Sequence, residues 1–332
     1  MDEVASAAGV SRATVSRVLS GSNLVVGSTR EKVLAAVERL GYVPNTAAQQ
    51  LASRSSDVVG LLLRDPRNPA YGLLHSELQD ATEGAGLQLV TVVPTKGKGE
   101  TSEAAGLRRL LGLRVGGLFV ASGVVPAELL EPFLPEVPLL SVGRPEAHPG
   151  IYAVSYDERS NGRQLADAVM RHGHTRVGVL ETAPRVSISE NLRSVSIIER
   201  LRERGATVVP VEATTFGVVS ERNEVLVDLV RSRTVTALMF PSDWRMLEFA
   251  EVATTAGLRI PDDVSITGCD GIIPGIRRLG FATLRIPVEV VARRAVEVMA
   301  GMLERPEATE PHHELYPGVM LDGRSLSTPN HS

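Results

Sequence analysis

Two sets of residues in this 332-residue chain could do chemistry, and in both it is binding chemistry. The first lies in Gly9-Val10-Ser11-Arg12-Ala13-Thr14-Val15-Ser16-Arg17-Val18-Leu19. Here Ser11, Arg12, Ala13, Thr14, Ser16 and Arg17 offer two guanidinium groups, hydroxyls and a methyl within a short helical stretch. A guanidinium fork fits a guanine edge or a phosphate, and an alanine methyl suits a thymine methyl. The second set follows apolar runs of strand type. Tyr71 lies beyond the run 58–63, Ser242 and Asp243 beyond 237–240, and Asp270 beyond 264–267. Open α/β sheets bind ligands beyond the carboxyl ends of their strands. Carboxylates and hydroxyls there can bond the hydroxyls of a polar ligand. Ser242 and Asp243 also fit a plain helix cap.

Catalytic sets are missing. His75, His148, His172, His174 and the His312-His313 pair show neither triad nor metal-ligand spacing. No Gly-rich phosphate loop or nucleophile elbow occurs. The single cysteine, Cys269, rules out an intramolecular disulfide and a Cys-rich zinc module. The expectation is therefore no enzyme, no metal and no cofactor. Apolar residues at 43% and charged residues at 22% are ordinary for a soluble protein, and the length suits two or three domains. No basic-apolar leader opens the chain and no long apolar run follows, so a cytoplasmic protein without membrane contact is expected. The net charge is −4, yet residues 1–56 carry six basic and four acidic side chains, net +2, which leaves −6 for the remainder. A basic head on an acidic body suits contact with phosphates at one end only.

Both sets need elements to position them. Residues 2–8 form a short Ala-rich helix that Gly9 can end with φ > 0. Ser11 offers an N-cap to a second helix, and Val4, Ala8, Val10, Val15 and Leu19 can be buried between the two. A third helix is expected over 28–40, capped by Ser28 or Thr29, stopped by Gly41, with Val33, Val37 and Leu40 facing inward. This is a helix-turn-helix whose second helix can enter a major groove. Arg30, Lys32 and Arg39 suit phosphate contact or a solvated face alike. Pro44-Asn45 breaks the chain before residues 46–54, a helix too short to be stable alone.

From Val58 strands and helices alternate. Strands are expected near 58–63, 87–93, 117–120, 138–142, 176–180, 207–211, 237–240 and 264–267. Helices are expected near 71–85, 103–113, 160–172, 192–204, 218–231, 244–256 and 288–303. Repeated β-α units imply parallel sheets with right-handed connections. Two such series read as two similar subdomains facing across a cleft.

Several strings resemble a known family. Asp2-Glu3-Val4-Ala5, Ala8-Gly9-Val10-Ser11 and Thr14-Val15-Ser16-Arg17-Val18-Leu19-Ser20 are similar to the head of the lactose-repressor/galactose-repressor (LacI/GalR) family. So are Ser28-Thr29-Arg30-Glu31-Lys32-Val33 and Leu40-Gly41-Tyr42-Val43-Pro44-Asn45. The body follows with Gly173-His174-Thr175-Arg176-Val177, the stretch 257–266, Thr283-Leu284-Arg285 and Leu321-Asp322-Gly323-Arg324-Ser325. The match spans nearly the whole chain. It implies an all-α helix-turn-helix head and an α/β body like a periplasmic sugar-binding protein, built of two parallel-sheet subdomains. The expected divisions are a head at 1–43, a hinge helix and linker at 44–57, and an effector-binding and dimerisation body at 58–328. Within the body, one subdomain is expected at about 58–157 and 285–312, the other at about 158–284 and 313–328.

The resemblance also implies site residues. Asn45, Ala48 and Leu51 would belong to the hinge helix, with Leu51 as an apolar wedge in the minor groove or else a core residue. Arg193 stands at the family's effector-binding arginine, and Phe216 aligns with an aromatic that stacks on the ligand or else fills the core. Arg144, Tyr71, Ser242, Asp243 and Asp270 complete the implied effector set. There are departures. Ser242 replaces the usual Asn, Gly143 replaces an Asp before Arg144, Gly271 replaces an acidic residue, and Asn161 takes a common Gly position. These argue against carrying over the usual hexose-type effector unchanged. The leading expectation is a regulator, a repressor in the commoner case, that binds a pseudo-palindromic double-stranded operator as a homodimer and is switched by a small, sugar-like effector. The competing reading, a solute-binding protein of a sugar transporter, accounts for the body but not for the basic head.

Overall fold

The computed structural model describes residues 1–19, 24–42, 57–94, 102–213, 220–305 and 310–330. The chain forms two compact units, Met1–Ser56 and Asp57–Ser332. Among the described residues no helix is long and apolar enough to cross a membrane.

The first unit holds α1 (Asp2–Ala8), α2 (Arg12–Leu19) and α3 (Gly27–Leu40). Gly9 and Gly41 end α1 and α3 at φ 67° and 56°, conformations a side chain would strain. Ser11 caps α2 by accepting a hydrogen bond from the N–H of Thr14 at 3.1 Å. Val4, Ala5, Val15, Val18, Val33 and Ala36 form the core. Two expectations need correction. α3 starts one residue earlier than Ser28, after Val26, with no side-chain cap, because the chain is already helical at Gly27. Leu40 is 44% exposed, because Ala36 takes the inward place one turn earlier.

The second unit contains two six-stranded sheets. In chain order its elements begin β1 (Val58–Leu63), α4 (Pro69–Gly84), β2 (Gln88–Val92), α5 (Ser102–Gly112), β3 (Gly117–Ala121), α6 (Ala127–Leu130), β4 (Leu139–Val142) and β5 (Tyr152–Tyr156). The second series is α7 (Glu158–Arg171), β6 (Arg176–Thr182), α8 (Ile188–Glu203), β7 (Thr207–Ala213), α9 (Ser220–Arg231), β8 (Ala237–Met239), α10 (Asp243–Thr255), β9 (Ser265–Asp270), α11 (Ile276–Leu279) and β10 (Ala282–Arg285). α12 (Val288–Glu304), β11 (His313–Tyr316) and β12 (Val319–Leu321) close it. The sheet orders are β11-β5-β4-β3-β1-β2 and β12-β10-β9-β8-β6-β7. The described pairs are parallel except β10 with β12. Strands such as β1, β3 and β5 are buried along their length, as strands covered by helices on both faces must be.

The chain passes between the sheets after β5, after β10 and after β11. The third passage therefore falls beyond Tyr316, not at residue 313 as expected, because His313–Tyr316 pairs in parallel with Ala153–Tyr156 of the first sheet. The second falls beyond Arg285, which is still in register with Asp270.

Candidate functional site

The carboxyl ends of both sheets face one cavity. From the first sheet's side Arg64, Asn68, Tyr71, Gly143 and Tyr156 line it; from the second, Glu158, Glu190, Arg193, Ser242 and Asp270. Its volume is about 50 Å³, space for a few waters.

Each residue arrives there for a local reason. Asn68 caps α4, its Oδ1 accepting from the N–H of Ala70 at 2.9 Å, with Pro69 at the first helical position. That puts Tyr71 in the first turn, where its hydroxyl accepts from the N–H of Gly123 at 3.1 Å. Gly143 takes φ 66° after β4, and a Cβ there would stand 2.9 Å from Leu74 and 3.4 Å from the Tyr156 hydroxyl. The glycine thus leaves room for Tyr156. Among the described residues the Tyr156 hydroxyl is buried with no hydrogen-bond partner. Burial, then the charges of Glu158 and Asp270, hold its pKa well above the usual phenol value, so it remains an O–H donor.

On the opposite wall Ser187 caps α8 by accepting from the N–H of Glu190 at 3.3 Å. Glu190 accepts from Arg245 Nε and from Thr182 Oγ1, both at 3.0 Å. One turn on, Arg193 lies against Glu158, with Nε to Oε2 at 2.7 Å and Nη2 to Oε1 at 2.8 Å. Gly162 makes this pairing possible. A Cβ there would come within 2.6 Å of the Arg193 carbonyl, so α7 and α8 approach backbone to backbone. Arg193 Nη1 also donates to the carbonyl of Pro241 and lies 3.6 Å from Asp270 Oδ1. Asp270 holds φ 113°, a conformation that strains a residue with a side chain. Burial raises its pKa well above the usual carboxylate range, Arg193 opposes the shift, and the charge of Asp243 adds to it.

Of the expected effector residues, the fold brings Tyr71, Arg193, Ser242 and Asp270 to the cavity. Two others are turned elsewhere. Arg144 is buried in the first subdomain, where it donates to the carbonyls of Ser122 and Val125 and pairs with Glu146. Asp243 sits behind the cavity wall as a clamp, its Oδ2 accepting from the N–H of Gly271 at 2.7 Å and its Oδ1 from the Thr283 hydroxyl at 2.6 Å. Neither is among the residues that line the cavity. Phe216 lies outside the described residues, as do Asn45, Ala48 and Leu51. Sequence reading missed Glu158, Glu190, Tyr156 and Arg64. The available signal was position: each lies at or just past a strand end or in the first turn of a helix.

In the head, Ser11, Arg12, Ala13 and Arg17 are exposed on α2, and Thr14 and Ser16 are half-buried. Arg12 stands 3.7 Å from Asp2, both largely exposed, a pair worth at most about 1 kcal/mol. It is weak enough to give way to a phosphate.

Comparison with known proteins fits this geometry. Residues 1–45 match the family model of bacterial regulatory proteins, lacI family, and residues 166–326 match a periplasmic binding protein-like domain. The HTH-type transcriptional regulator CelR of Thermobifida fusca is 30% identical over 327 residues, covering 94% of this chain and 93% of CelR. The chain belongs to the lacI family of bacterial regulatory proteins. The HTH-type transcriptional regulator GalR of Escherichia coli is 26% identical over 99% of this chain and 96% of its own. The crystal structure of the Lac repressor dimer bound to operator and an anti-inducer has the same fold, with a TM-score of 0.83 over 98% of both chains at 21% identity. The structure of a CelR–cellobiose complex superposes with a TM-score of 0.69 at 25% identity over 98% of both chains. As a lacI-family protein the chain is a DNA-binding transcriptional regulator and not an enzyme.

Proposed function

We propose that this regulator is a homodimeric repressor that reads a pseudo-palindromic operator and is switched by a small sugar-like ligand held between its two subdomains. The observation that carries the ligand is an unsatisfied hydroxyl in the cleft, Tyr156, together with the loosely paired carboxyl of Asp270. Among the described residues the Tyr156 hydroxyl has no partner, and the Asp270 carboxyl lies 3.6 Å from Arg193, beyond ordinary hydrogen-bond distance. Buried polar groups without partners cost stability, and a ligand hydroxyl can accept from the first and donate to the second. The solved structure of a CelR–cellobiose complex supports a sugar. The cavity is too small for such a ring as it stands, so entry needs the subdomains to move apart.

Tyr71, Tyr156, Arg193, Ser242 and Asp270 form the ligand set in this reading, with Phe216 as the stacking aromatic. Ser11, Arg12, Ala13, Thr14, Ser16 and Arg17 meet the major groove, and Asn45, Ala48 and Leu51 the minor groove. The divisions of the chain are a head to residue 43, a hinge and linker over 44–57 and a body from 58, in a protein of the cytoplasm. A ligand acts only through its different affinity for two arrangements. The arrangements differ in the angle between the subdomains, hence in the spacing of the two hinges of a dimer.

The test is a mobility shift with DNA from upstream of the gene. A retarded band that responds to a bound sugar supports the reading, whereas a solute-binding protein would leave the DNA unshifted.

A further inference from the structure

We propose that Glu158 and Asn161 are positioning residues that couple Arg193, in the cleft, to the third passage between the subdomains, at Gly318. The proposal rests on the reading that the cleft takes a ligand at Arg193, but the coupling itself can be measured with no ligand present.

α7 starts immediately after the first passage. Glu158 is in its first turn and Asn161 one turn on, 2% and 0% exposed. Glu158 binds Arg193 through both oxygens, at 2.7 and 2.8 Å. Asn161 Nδ2 donates to Glu158 Oε2 at 3.4 Å, and Asn161 Oδ1 accepts from the N–H of Gly318 at 2.7 Å. One amide side chain therefore spends its donor end on the carboxylate and its acceptor end on the main chain of the third passage. Only an amide supplies both ends at this length. Alanine would leave both partners unsatisfied, and aspartate would face Glu158 with like charge.

Gly318 is not a loose end of this chain of bonds. A Cβ there would stand 2.2 Å from Leu284 and 2.6 Å from the Arg285 carbonyl, so the third passage lies directly on the strand leading into the second. Gln164 Nε2 donates to the Gly318 carbonyl at 3.2 Å, and the N–H of Asp157 donates to the Tyr316 carbonyl at 2.9 Å. From its other edge Arg193 approaches Asp270, whose carbonyl accepts from the N–H of Ile286 in the second passage at 3.1 Å. The guanidinium in the cleft is thus joined, within a few bonds, to all three passages.

The consequence is physical. A buried carboxylate needs its charge balanced by close donors. Any ligand that draws Arg193 off Glu158 leaves that carboxylate short of donors. Among the described residues the Asn161 amide already donates to it, at 3.4 Å. Turning the amide toward Glu158 pulls its carbonyl off Gly318, which frees the third passage. A ligand that leaves the Arg193–Glu158 pair in place keeps the passage pinned. The side-chain pair would thus convert the state of one arginine into the freedom of one hinge.

The test is hydrogen–deuterium exchange on the full chain without ligand, reading the segment 313–321. Asn161→Ala should speed exchange there, a direct effect of the lost bond. The informative variants are Arg193→Lys and Glu158→Gln, neither of which alters a group touching Gly318. Each should speed exchange of the same segment roughly two- to tenfold, the factor carried by one hydrogen bond. Adding Asn161→Ala to Glu158→Gln should give no further gain. Protection of 176–182 serves as the control for global folding. If Arg193→Lys loses protection throughout, Glu158→Gln alone carries the test. Wild-type exchange at 313–321 in Glu158→Gln, with faster exchange in Asn161→Ala, would overturn the coupling, because the Gly318 bond would then be local. The outcomes separate cleanly. Coupling present with no ligand response removes the ligand reading alone, and a ligand response through Arg193 without coupling removes this proposal alone.

Discussion

The N–H of Ile188, at the start of α8, donates to the carbonyl of Gly123 at 2.9 Å, so main chain bonds main chain from one subdomain to the other. Gly123 sits in the turn after β3, and its own N–H donates to the Tyr71 hydroxyl at 3.1 Å. A Cβ on Gly123 would stand 3.3 Å from that hydroxyl and 3.5 Å from Ser187 Oγ. The closed cleft is thus latched through a residue without a side chain.

Gly123→Val should weaken this latch. Losing one such bond is worth about 1 kcal/mol, enough to move a closed-to-open ratio about fivefold. Distance measurements between spin labels on the two subdomains would show a larger open fraction. An unchanged distribution would mean that the latch does not hold the cleft.

Breaking the buried Arg193–Glu158 pair should be costly. Arg193→Ala strands a buried carboxylate, and losses of about 3–5 kcal/mol are usual for such a change. Urea unfolding of the variant would register it, and Arg193→Met with Glu158→Leu together should recover much of the loss. A cost below about 1 kcal/mol for Arg193→Ala would contradict the buried pairing. The alanine variant is therefore a poor probe of ligand binding, and Arg193→Lys, which keeps the charge, is preferable.

A pH dependence follows from Glu314. Arg294 grips it with Nε and Nη2, at 2.9–3.1 Å, and the Tyr152 and Tyr316 hydroxyls donate to it at 2.8 Å. Hydrogen bonds from Arg294, opposed by burial and helped by the tyrosines, lower its pKa from 4.5 to about 2. The folded state therefore binds this proton less readily than the unfolded chain. Its contribution to stability is full above pH 4.5 and is lost as pH falls toward 2. Thermal melts across that range should show a steeper decline for the parent than for Glu314→Gln. Parallel curves would contradict the assignment.

Recognition by the head predicts that Arg17→Ala loses about 1–3 kcal/mol of operator binding if Arg17 reads a guanine. The loss should fall mostly on specific sites and little on random DNA. Equal losses on both would make Arg17 a phosphate contact. Leu51→Ala should reduce DNA bending in a circular-permutation assay while leaving the body's melting unchanged.

Much of this was legible in the residues. The buried runs 58–63 and 117–120, the glycines that end α1 and α3, and the Ser11 cap are local signals, and they led to the observed elements. β5 was missed, though Tyr152–Tyr156 is wholly buried, because so short a strand follows a turn-rich stretch and leads straight into α7. β11 was missed because its half-exposed residues carry no apolar run. The site was legible only in part. Glu158 reads in sequence as an ordinary acidic residue in a helix's first turn. Only the close approach of α7 and α8 at Gly162 reveals that Arg193 is its partner. Arg144 and Asp243 mislead for the converse reason. Their types suit a ligand, and their partners at Ser122, Val125, Gly271 and Thr283 become visible only once the loops are folded.

If the proposed switch operates, a ligand held at Arg193 controls the grip of the head on DNA. Fluorescence anisotropy with a pseudo-palindromic fragment from the gene's upstream region tests it most directly, titrating sugars beginning with cellobiose and ribose against the parent and Arg193→Lys. The parent should bind, and an active sugar should change its affinity by about 5–150-fold. Arg193→Lys should still bind the DNA but without that sugar-dependent change. A parent that leaves the fragment unbound, or an Arg193→Lys variant that responds to the sugar in full, would contradict it.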